Sequence, residues 1–385
     1  MEIKNLEKAA QRIKKAIKNK ERIILYGDGD LDGVTSVIIL KEAIQNLNGK
    51  VSAVYFPDRE VEGYGLSEKG IEYLKQFAPA LLVVLDCGIT NFKEIKAGKE
   101  AGFEIIIVDH HQVLDKLPEA DIIVDPHQKD DPYPFKELAA AGIVFKLAEK
   151  LLGNEIPPLL RNNFLELVAL ATLADMMPKE EENIIFISEG IEAIKRSWRP
   201  AILAFKEVDY FKTIPTLKEK LSKFISILNV RDVEDNLPAA FRLLTATSIQ
   251  EAKNLIEKLY EKAQDRKKRI EEILKIIEER ISKKEEKIIF EGDENFDFIL
   301  ISPVASILFQ KYKKPTFIYK KLEKETQGTV RTPEGINGVE LMKKCADLLI
   351  SYGGHPRASG FRIKNENLDS FKVCLIKAIE ETKKV

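Results

Sequence analysis

The sequence predicts an α/β protein: an N-terminal parallel-sheet domain joined by a long helix to a smaller C-terminal α/β domain. Three observations predict it. Between residues 22 and 125, short β-branched apolar runs alternate with helix-like segments. From 249 to 286, a charged stretch repeats its apolar positions every three or four residues. Beyond it, strand-like runs resume.

The first five runs are RIILYGD (22–28), VSAVYFPD (51–58), LLVVLDCG (81–88), FEIIIVDHH (103–111) and DIIVDP (121–126). Apolar runs this short and continuous read as strands covered on both faces. Their alternation with helices implies right-handed βαβ units and a parallel sheet. From about residue 136 the pattern turns helical in FKELAAAGIVFKLAEKLL and LELVALATLADMMP, with Pro178 marking a stop. The stretch 249–286 is then one amphipathic linker helix. After it, KIIFEG, FDFILIS and PTFIYKK read as strands. The expected domains are therefore 1–248, a linker helix over 249–286, and 287–385.

Composition narrows the function. The 385 residues suffice for two or three cores. With 61 basic and 62 acidic residues the chain has no overall field, so a polyanion would need a local basic cleft. Abundant Lys and Glu resemble a thermophile's bias toward ion-pair networks. Cys87, Cys345 and Cys374 are odd in number, far apart and without C-x-x-C. Neither a disulfide frame nor a zinc knuckle is expected, and a reducing cytoplasm is. The start, MEIKNLEKAAQRIKKAI, is charged and helical in pattern, unlike a signal peptide. The longest mostly apolar run, FILISPVASILF (298–309), falls short of the roughly 20 residues that span a bilayer. A soluble cytoplasmic chain with no membrane partner is expected.

Four of the runs end in Asp: Asp28, Asp58, Asp86 and Asp109. In open parallel sheets, ligands bind beyond the carboxyl ends of the strands. GDGDLDGVTS (27–36) sets Asp28, Asp30 and Asp32 at alternate positions. Their mutual repulsion would be relieved by a divalent cation. Taken alone, the stretch reads equally well as a solvated loop or a helix cap. An EF-hand loop is excluded, since the position of its closing Glu is Ile39. A dinucleotide fingerprint is excluded because G-x-G-x-x-G is absent. His110 and His111, two of the four histidines, sit side by side after the fourth run. Asp175 follows an apolar helical run, a costly place for an unpaired acid. Several carboxylates with imidazole suit two divalent ions, Mn²⁺ ahead of Mg²⁺. Two such ions about 3.5–4 Å apart are the usual device for phosphoryl hydrolysis. In the C-terminal domain, SYGGHPRASGF (351–361) and QGTVRTPEG (327–335) set Gly353, Gly354, His355 and Arg331 near one another in type. Glycine N–H groups plus Arg can cradle a phosphate, although each stretch alone is also an ordinary turn.

GDGDLDGVTS, FPDREVEGYGLS, VVLDCGIT, VDHH and ATLADMMP occur in the order of the DHH phosphoesterases. The set resembles the RecJ-like branch most, and GTVRTPEG with YGGHPRASGF resembles the family's C-terminal domain. The resemblance covers residues 22 to 365. It implies a two-metal phosphodiesterase, a 5′–3′ exonuclease that releases mononucleotides from single-stranded DNA or RNA. It implies Asp28, Asp30, Asp32, Asp86, His110 and Asp175 as metal ligands, with Asp86 bridging. Asp109 and His111 would orient His110 and meet the scissile phosphate. Arg331, Gly353, Gly354 and His355 would hold the substrate strand. Replication or repair proteins would be further partners. Two departures accompany the match. LNVRDVEDN (228–236) stands where relatives carry a Gly-Arg that grips the 5′ end. The chain also stops where longer relatives continue into an OB-fold, so a short form is expected. The rival readings are an enzyme of the same family acting on short oligoribonucleotides, 3′,5′-bisphosphorylated adenosine or cyclic dinucleotides, and a replication-associated binding scaffold.

Overall fold

The computed structural model describes residues 1–385 except 60, 114, 115, 154, 155, 284, 285 and 383–385; the side chains of His355 and Thr382 also lie outside the described set. Two compact units, Met1–Glu261 and Lys262–Val385, divide the chain.

The first unit runs α1 (Leu6–Lys18), β1 (Ile23–Gly27), α2 (Leu31–Asn46), β2 (Val51–Tyr55), α3 (Glu68–Leu74), β3 (Ala80–Leu85), α4 (Phe92–Glu100), β4 (Phe103–Val108), β5 (Ile122–Val124), α5 (Ala140–Leu152), α6 (Pro158–Ala174) and α7 (Glu181–Arg196). It continues through α8 (Pro200–Glu207), α9 (Asp209–Lys212), α10 (Leu217–Leu228), β6 (Val233–Glu234), β7 (Leu237–Pro238) and α11 (Ala239–Leu244). The division between the units falls inside α12 (Ile249–Ile281).

β1 to β5 form one sheet in the order β2-β1-β3-β4-β5, every pair parallel. The expected runs are thus strands. β1 and β3 are buried along their whole length, because side chains alternate between two covered faces. One face packs Ile24, Tyr26, Leu82, Val84, Ile105 and Ile107 against Ile71, Leu74 and Ile95 of α3 and α4. β2, at the edge, is only half-buried. The chain leaves β1 toward β2 and returns to β3 on the other side, so the strand order reverses between β1 and β3. That reversal opens a crevice at the carboxyl ends of those two strands.

α2 starts in this crevice and is buried nearly all round, from Leu31 through Leu40. A helix apolar on every side needs cover beyond the sheet. α5 and α6 pack on it. Arg199 ties the layer together. Its guanidinium reaches Glu42 of α2 at 3.0 Å, Glu166 of α6 at 2.9 Å and the Leu244 carbonyl at 3.1 Å, with Glu166 fully buried. α7 lies against α6 through Gly190, where a Cβ would meet the Leu165 carbonyl at 2.3 Å.

The second unit adds β8 (Ile289–Asp293), α13 (Phe298–Tyr312), β9 (Thr316–Lys321), β10 (Glu325–Arg331), α14 (Gly338–Lys343), β11 (Leu349–His355), β12 (Ala358–Lys364) and α15 (Leu368–Thr382). Its sheet has the order β11-β12-β10-β9-β8, antiparallel except for β8 with β9. Two expectations fail here. FDFILIS does not form a strand: from Phe298 it is the first part of α13. Leu300, Ile301, Val304, Ala305 and Leu308 make one buried helical face, and the Asp297 side chain caps its start through Ile299 N–H at 3.1 Å. The expectation of no disulfide also fails. Cys345, just after α14, and Cys374 on α15 are bonded, with Cα atoms 6.1 Å apart. They are 29 residues apart in sequence, but the same apolar core brings them together. The cysteines therefore no longer argue for a reducing compartment. Among the described residues, no helix is long and apolar enough to cross a membrane.

Gly190→Ala should push α7 off α6 and cost about 1–3 kcal/mol, the usual penalty for overpacking. Circular dichroism melts of the full chain will show it as a lowered midpoint; an unchanged midpoint would mean the helices absorb the methyl.

Candidate metal centre

The site begins with where the strands end. Asp28 follows β1 and Asp86 follows β3, so the two flank the crevice. Asp86 holds φ at 62°, in the left-handed region. That conformation costs a non-glycine residue about 1–2 kcal/mol and redirects its side chain at the strand end. Asp109 and His110 follow β4.

Asp30 is the N-cap of α2 and accepts from Gly33 N–H at 3.0 Å. A Cβ on Gly33 would lie 2.5 Å from the Asp28 carbonyl oxygen, so the turn needs glycine there. Asp32 sits in the first turn of α2 and is buried. Both its oxygens are held by the start of α5, from Ala140 N–H at 2.7 Å and Ala141 N–H at 2.8 Å. A helix start is suited to this, since its first N–H groups have no partner within the helix. Asp175 is the residue that closes α6.

His110 brings these acids together. Its Nδ1 lies 3.0 Å from the Leu138 carbonyl, which can only accept. In the neutral ring Nδ1 therefore carries the proton and Nε2 is turned on the carboxylates. Nε2 is 3.3 Å from Asp86, 3.8 Å from Asp32 and 3.8 Å from Asp175. Among the described residues, three groups of donor atoms are close enough to hold a metal ion: Asp28, Asp30 and Asp86; Asp32, His110 and Asp175; and Asp86, His110 and His111. Asp86 belongs to two of them. The donor chemistry fits divalent cations, with hard carboxylate oxygens in excess and one oriented imidazole nitrogen.

Electrostatics point the same way. Burial, then the neighbouring Asp30, Asp32, Asp28 and Asp109, push the Asp86 carboxyl well above its ordinary range. Burial also pushes Asp32 up, to about 7, against the pull of His110. Against burial, Arg59 and the Gly33 N–H hold Asp30 below its ordinary value. Asp109 is fully buried and has no part in the three groups. It accepts from Ile89 N–H at 3.1 Å, His110 N–H at 2.8 Å and the His111 ring at 2.7 Å. Asp109 thus holds the backbone of His110 and the ring of His111, while the Leu138 carbonyl orients the His110 ring. The Asp109 hydrogen bond raises His111 to about 9, so this half-exposed ring is a cation at neutral pH.

Arg59 was not singled out among the candidate residues. Its Nε is 2.9 Å from Asp28, and its Nη2 meets Asp28 and lies 2.8 Å from Asp30. The available signal was a lone arginine directly after Asp58, at the end of the second strand. Asp58 itself is outside the three groups.

The other four expected residues lie in the second unit. Arg331 ends β10, with its guanidinium held by Ser302 at 2.8 Å, Ser306 at 3.1 Å and Thr329 at 3.0 Å. Gly353 and Gly354 are strand residues rather than a loop, paired with Gly360 and Ser359. The backbone of His355 ends β11, and its side chain lies outside the described set.

The fold and site together define an α/β protein with carboxylates and an imidazole gathered at the switch point of a parallel sheet, a set that could hold a divalent cation. Residues 22–172 match the DHH family, N-terminal domain, and residues 285–381 match the DHHA1 domain. The chain thus carries a DHH domain followed by a DHHA1 domain. The single-stranded-DNA-specific exonuclease RecJ of Bacillus subtilis is 33% identical over 99% of this chain and 48% of its own length. That of Thermus thermophilus is 30% identical over 96% of this chain and 54% of its own. The chain thus spans about half the length of these two relatives. A solved structure of exonuclease RecJ bound to manganese matches with a TM-score of 0.83 at 27% identity, covering 98% of this chain and 94% of that one.

Raised carboxyls make cation binding and stability depend on pH in opposite senses. Asp32 and Asp86 hold protons better folded than unfolded, so their contribution to stability is present at low pH and lost as pH rises, for Asp32 through about 7. The His111–Asp109 pair loses its contribution over the overlapping range from about 6.5, the unfolded histidine value, to about 9. In chelator, the melting temperature should fall from pH 5.5 to pH 8. Mn²⁺ affinity should rise about tenfold or more over the same interval, because protons compete for the same oxygens. Calorimetric titration at the two pH values checks this, and a pH-independent affinity would contradict it.

Proposed function

We propose that this chain is a divalent-cation-dependent phosphodiesterase that cuts single-stranded nucleic acid into mononucleotides, in the manner of a RecJ-like 5′–3′ exonuclease. The observation that carries the reading is the convergence of Asp32, Asp86 and Asp175 on His110 Nε2, beside Asp28 and Asp30. Asp32, His110 and Asp175 would hold one cation and Asp28, Asp30 and Asp86 the other. Mn²⁺ is the first expectation and Mg²⁺ the second. Cations there supply Lewis-acid neutralisation of a phosphate and a nucleophile at neutral pH.

The chain's own groups do the rest. His111, charged and held by Asp109, offers a hydrogen bond to a phosphate oxygen at the rim of the site. Leu138 and the Ala140 and Ala141 N–H groups keep His110 and Asp32 aimed. Arg331, Gly353, Gly354 and His355 are the proposed contacts to the substrate strand. The names of the relatives support a single-stranded DNA substrate. End preference rests on a different part. LNVRDVEDN ends in β6 and the turn that leads into β7, with Asp235 and Asn236 at positive φ in that turn, where relatives are expected to carry the Gly-Arg.

The test uses purified protein with Mn²⁺ on DNA and RNA strands labelled at either end. Release of mononucleotides from the 5′ end, abolished by chelator, is expected. Full activity in excess chelator would refute the reading, and cleavage restricted to dimers through pentamers would favour the short-oligonucleotide enzyme. Asp86→Asn should lower turnover at least about a thousandfold in a folded protein. Asp109→Asn, which loosens His111, should lower it about 10–100-fold.

A further inference from the structure

The two main groups of ligand atoms are not equally ready for a cation. In one, Asp32 is held only by neutral backbone N–H donors, one to each oxygen. Each of those oxygens keeps a lone pair free, and the other members are His110 and the partly exposed Asp175. In the other, a fixed positive charge is already seated. Arg59 donates through Nε to Asp28 Oδ1 at 2.9 Å and through Nη2 to Asp28 Oδ2, and the same Nη2 reaches Asp30 at 2.8 Å. Gly29 N–H also donates to Asp28 Oδ1 at 2.7 Å. Both oxygens of Asp28 are therefore engaged by one guanidinium in the bidentate geometry that arginine favours. The Arg59 side chain is 17% exposed and that of Asp28 is 7% exposed, so the pair is poorly screened by solvent.

A second cation on Asp28 and Asp30 would have to sit directly beside the guanidinium. Two positive charges sharing two carboxylates in a partly buried site repel, and the more so because little water lies between them. The Tyr64 ring already lies 4.6 Å from Arg59 Cζ, and Tyr64 is 71% exposed, so a guanidinium leaving the carboxylates would have a cation–π partner beside it.

We infer that Arg59 is a resident counter-cation that makes cation loading sequential. The Asp32–His110–Asp175 group fills first, and the Asp28–Asp30–Asp86 group fills second, by displacing Arg59. This rests on the proposed metal-dependent reading. Displacement would turn a positive guanidinium outward as the second ion enters, so loading of the site and a gain of positive charge at its rim become one event.

The experiment is a Mn²⁺ titration of the full chain without nucleic acid, followed by calorimetry and by the electron paramagnetic resonance of free Mn²⁺. The native chain should show one tight and one weaker class. Arg59→Gln should tighten the weaker class about tenfold or more and leave the tight class within about twofold, since it removes a competing charge from one group only. Arg59→Lys, which keeps the charge and loses the bidentate fork, should fall between. It carries the same comparison if Arg59→Gln fails to fold. A purely structural arginine would loosen both classes when replaced. Equal affinities in the native chain, or a weaker class that is unchanged or loosened by both substitutions, would overturn the inference. A native chain that binds no Mn²⁺ at all would instead overturn the metal-dependent reading beneath it.

Discussion

The constraint on which this structure turns is the repulsion among Asp28, Asp30, Asp32 and Asp86, buried or half-buried around one crevice. Acids this close and this dry cannot all ionise without positive charge among them. The protein answers in two ways. It sets Arg59 across Asp28 and Asp30. It aims the start of α5 at Asp32. Asp32 and Asp86 remain raised despite both. A divalent cation is the species that would resolve the remainder.

Much of the fold serves to keep that arrangement from relaxing. The reversal of strand order between β1 and β3 places Asp28 and Asp86 side by side. α2 must carry Asp30 and Asp32 into the crevice, so it is buried and needs α5 and α6 as cover. The same two helices then contribute to the site, α5 through its first N–H groups and α6 through Asp175 at its end. Asn183 links the segments before and after these helices, donating to the Glu137 carbonyl at 2.6 Å and the Pro178 carbonyl at 2.9 Å. Arg199 does similar work deeper in the layer, where it joins α2 to α6 through Glu42 and Glu166. Packing and ligand geometry are thus one problem in this unit. The match of residues 22–172 to the DHH family covers the sheet and most of these helices.

The strands and the acids at their ends were legible because both signals are local: an apolar run of five or six residues, then Asp where the chain must turn. Asp175 was legible because an acid closing an apolar helix stands out. The partners that aim those acids were not. The Leu138 carbonyl and the Ala140 and Ala141 N–H groups are backbone atoms, and no side-chain pattern announces which carboxylate they will meet. Arg59 was present in the family motif, but its engagement of Asp28 spans 31 residues and depends on β1 and β2 lying adjacent. The contact of Asp109 with the His111 ring was not legible either, because adjacency in DHH does not say which ring folds back. FDFILIS misled because its β-branched residues fit a strand as well as a buried helix over so short a window. The Cys345–Cys374 bond was hidden by distance along the chain, which says little about distance in a core.

Crystals of the full chain grown in Mn²⁺, with anomalous scattering collected at the manganese edge, test the central claim most directly. The account predicts peaks in the crevice between β1 and β3, one ligated by Asp32, His110 Nε2 and Asp175 and one by Asp28, Asp30 and Asp86. Manganese found only elsewhere on the protein, with His110 and these carboxylates unligated, would contradict it.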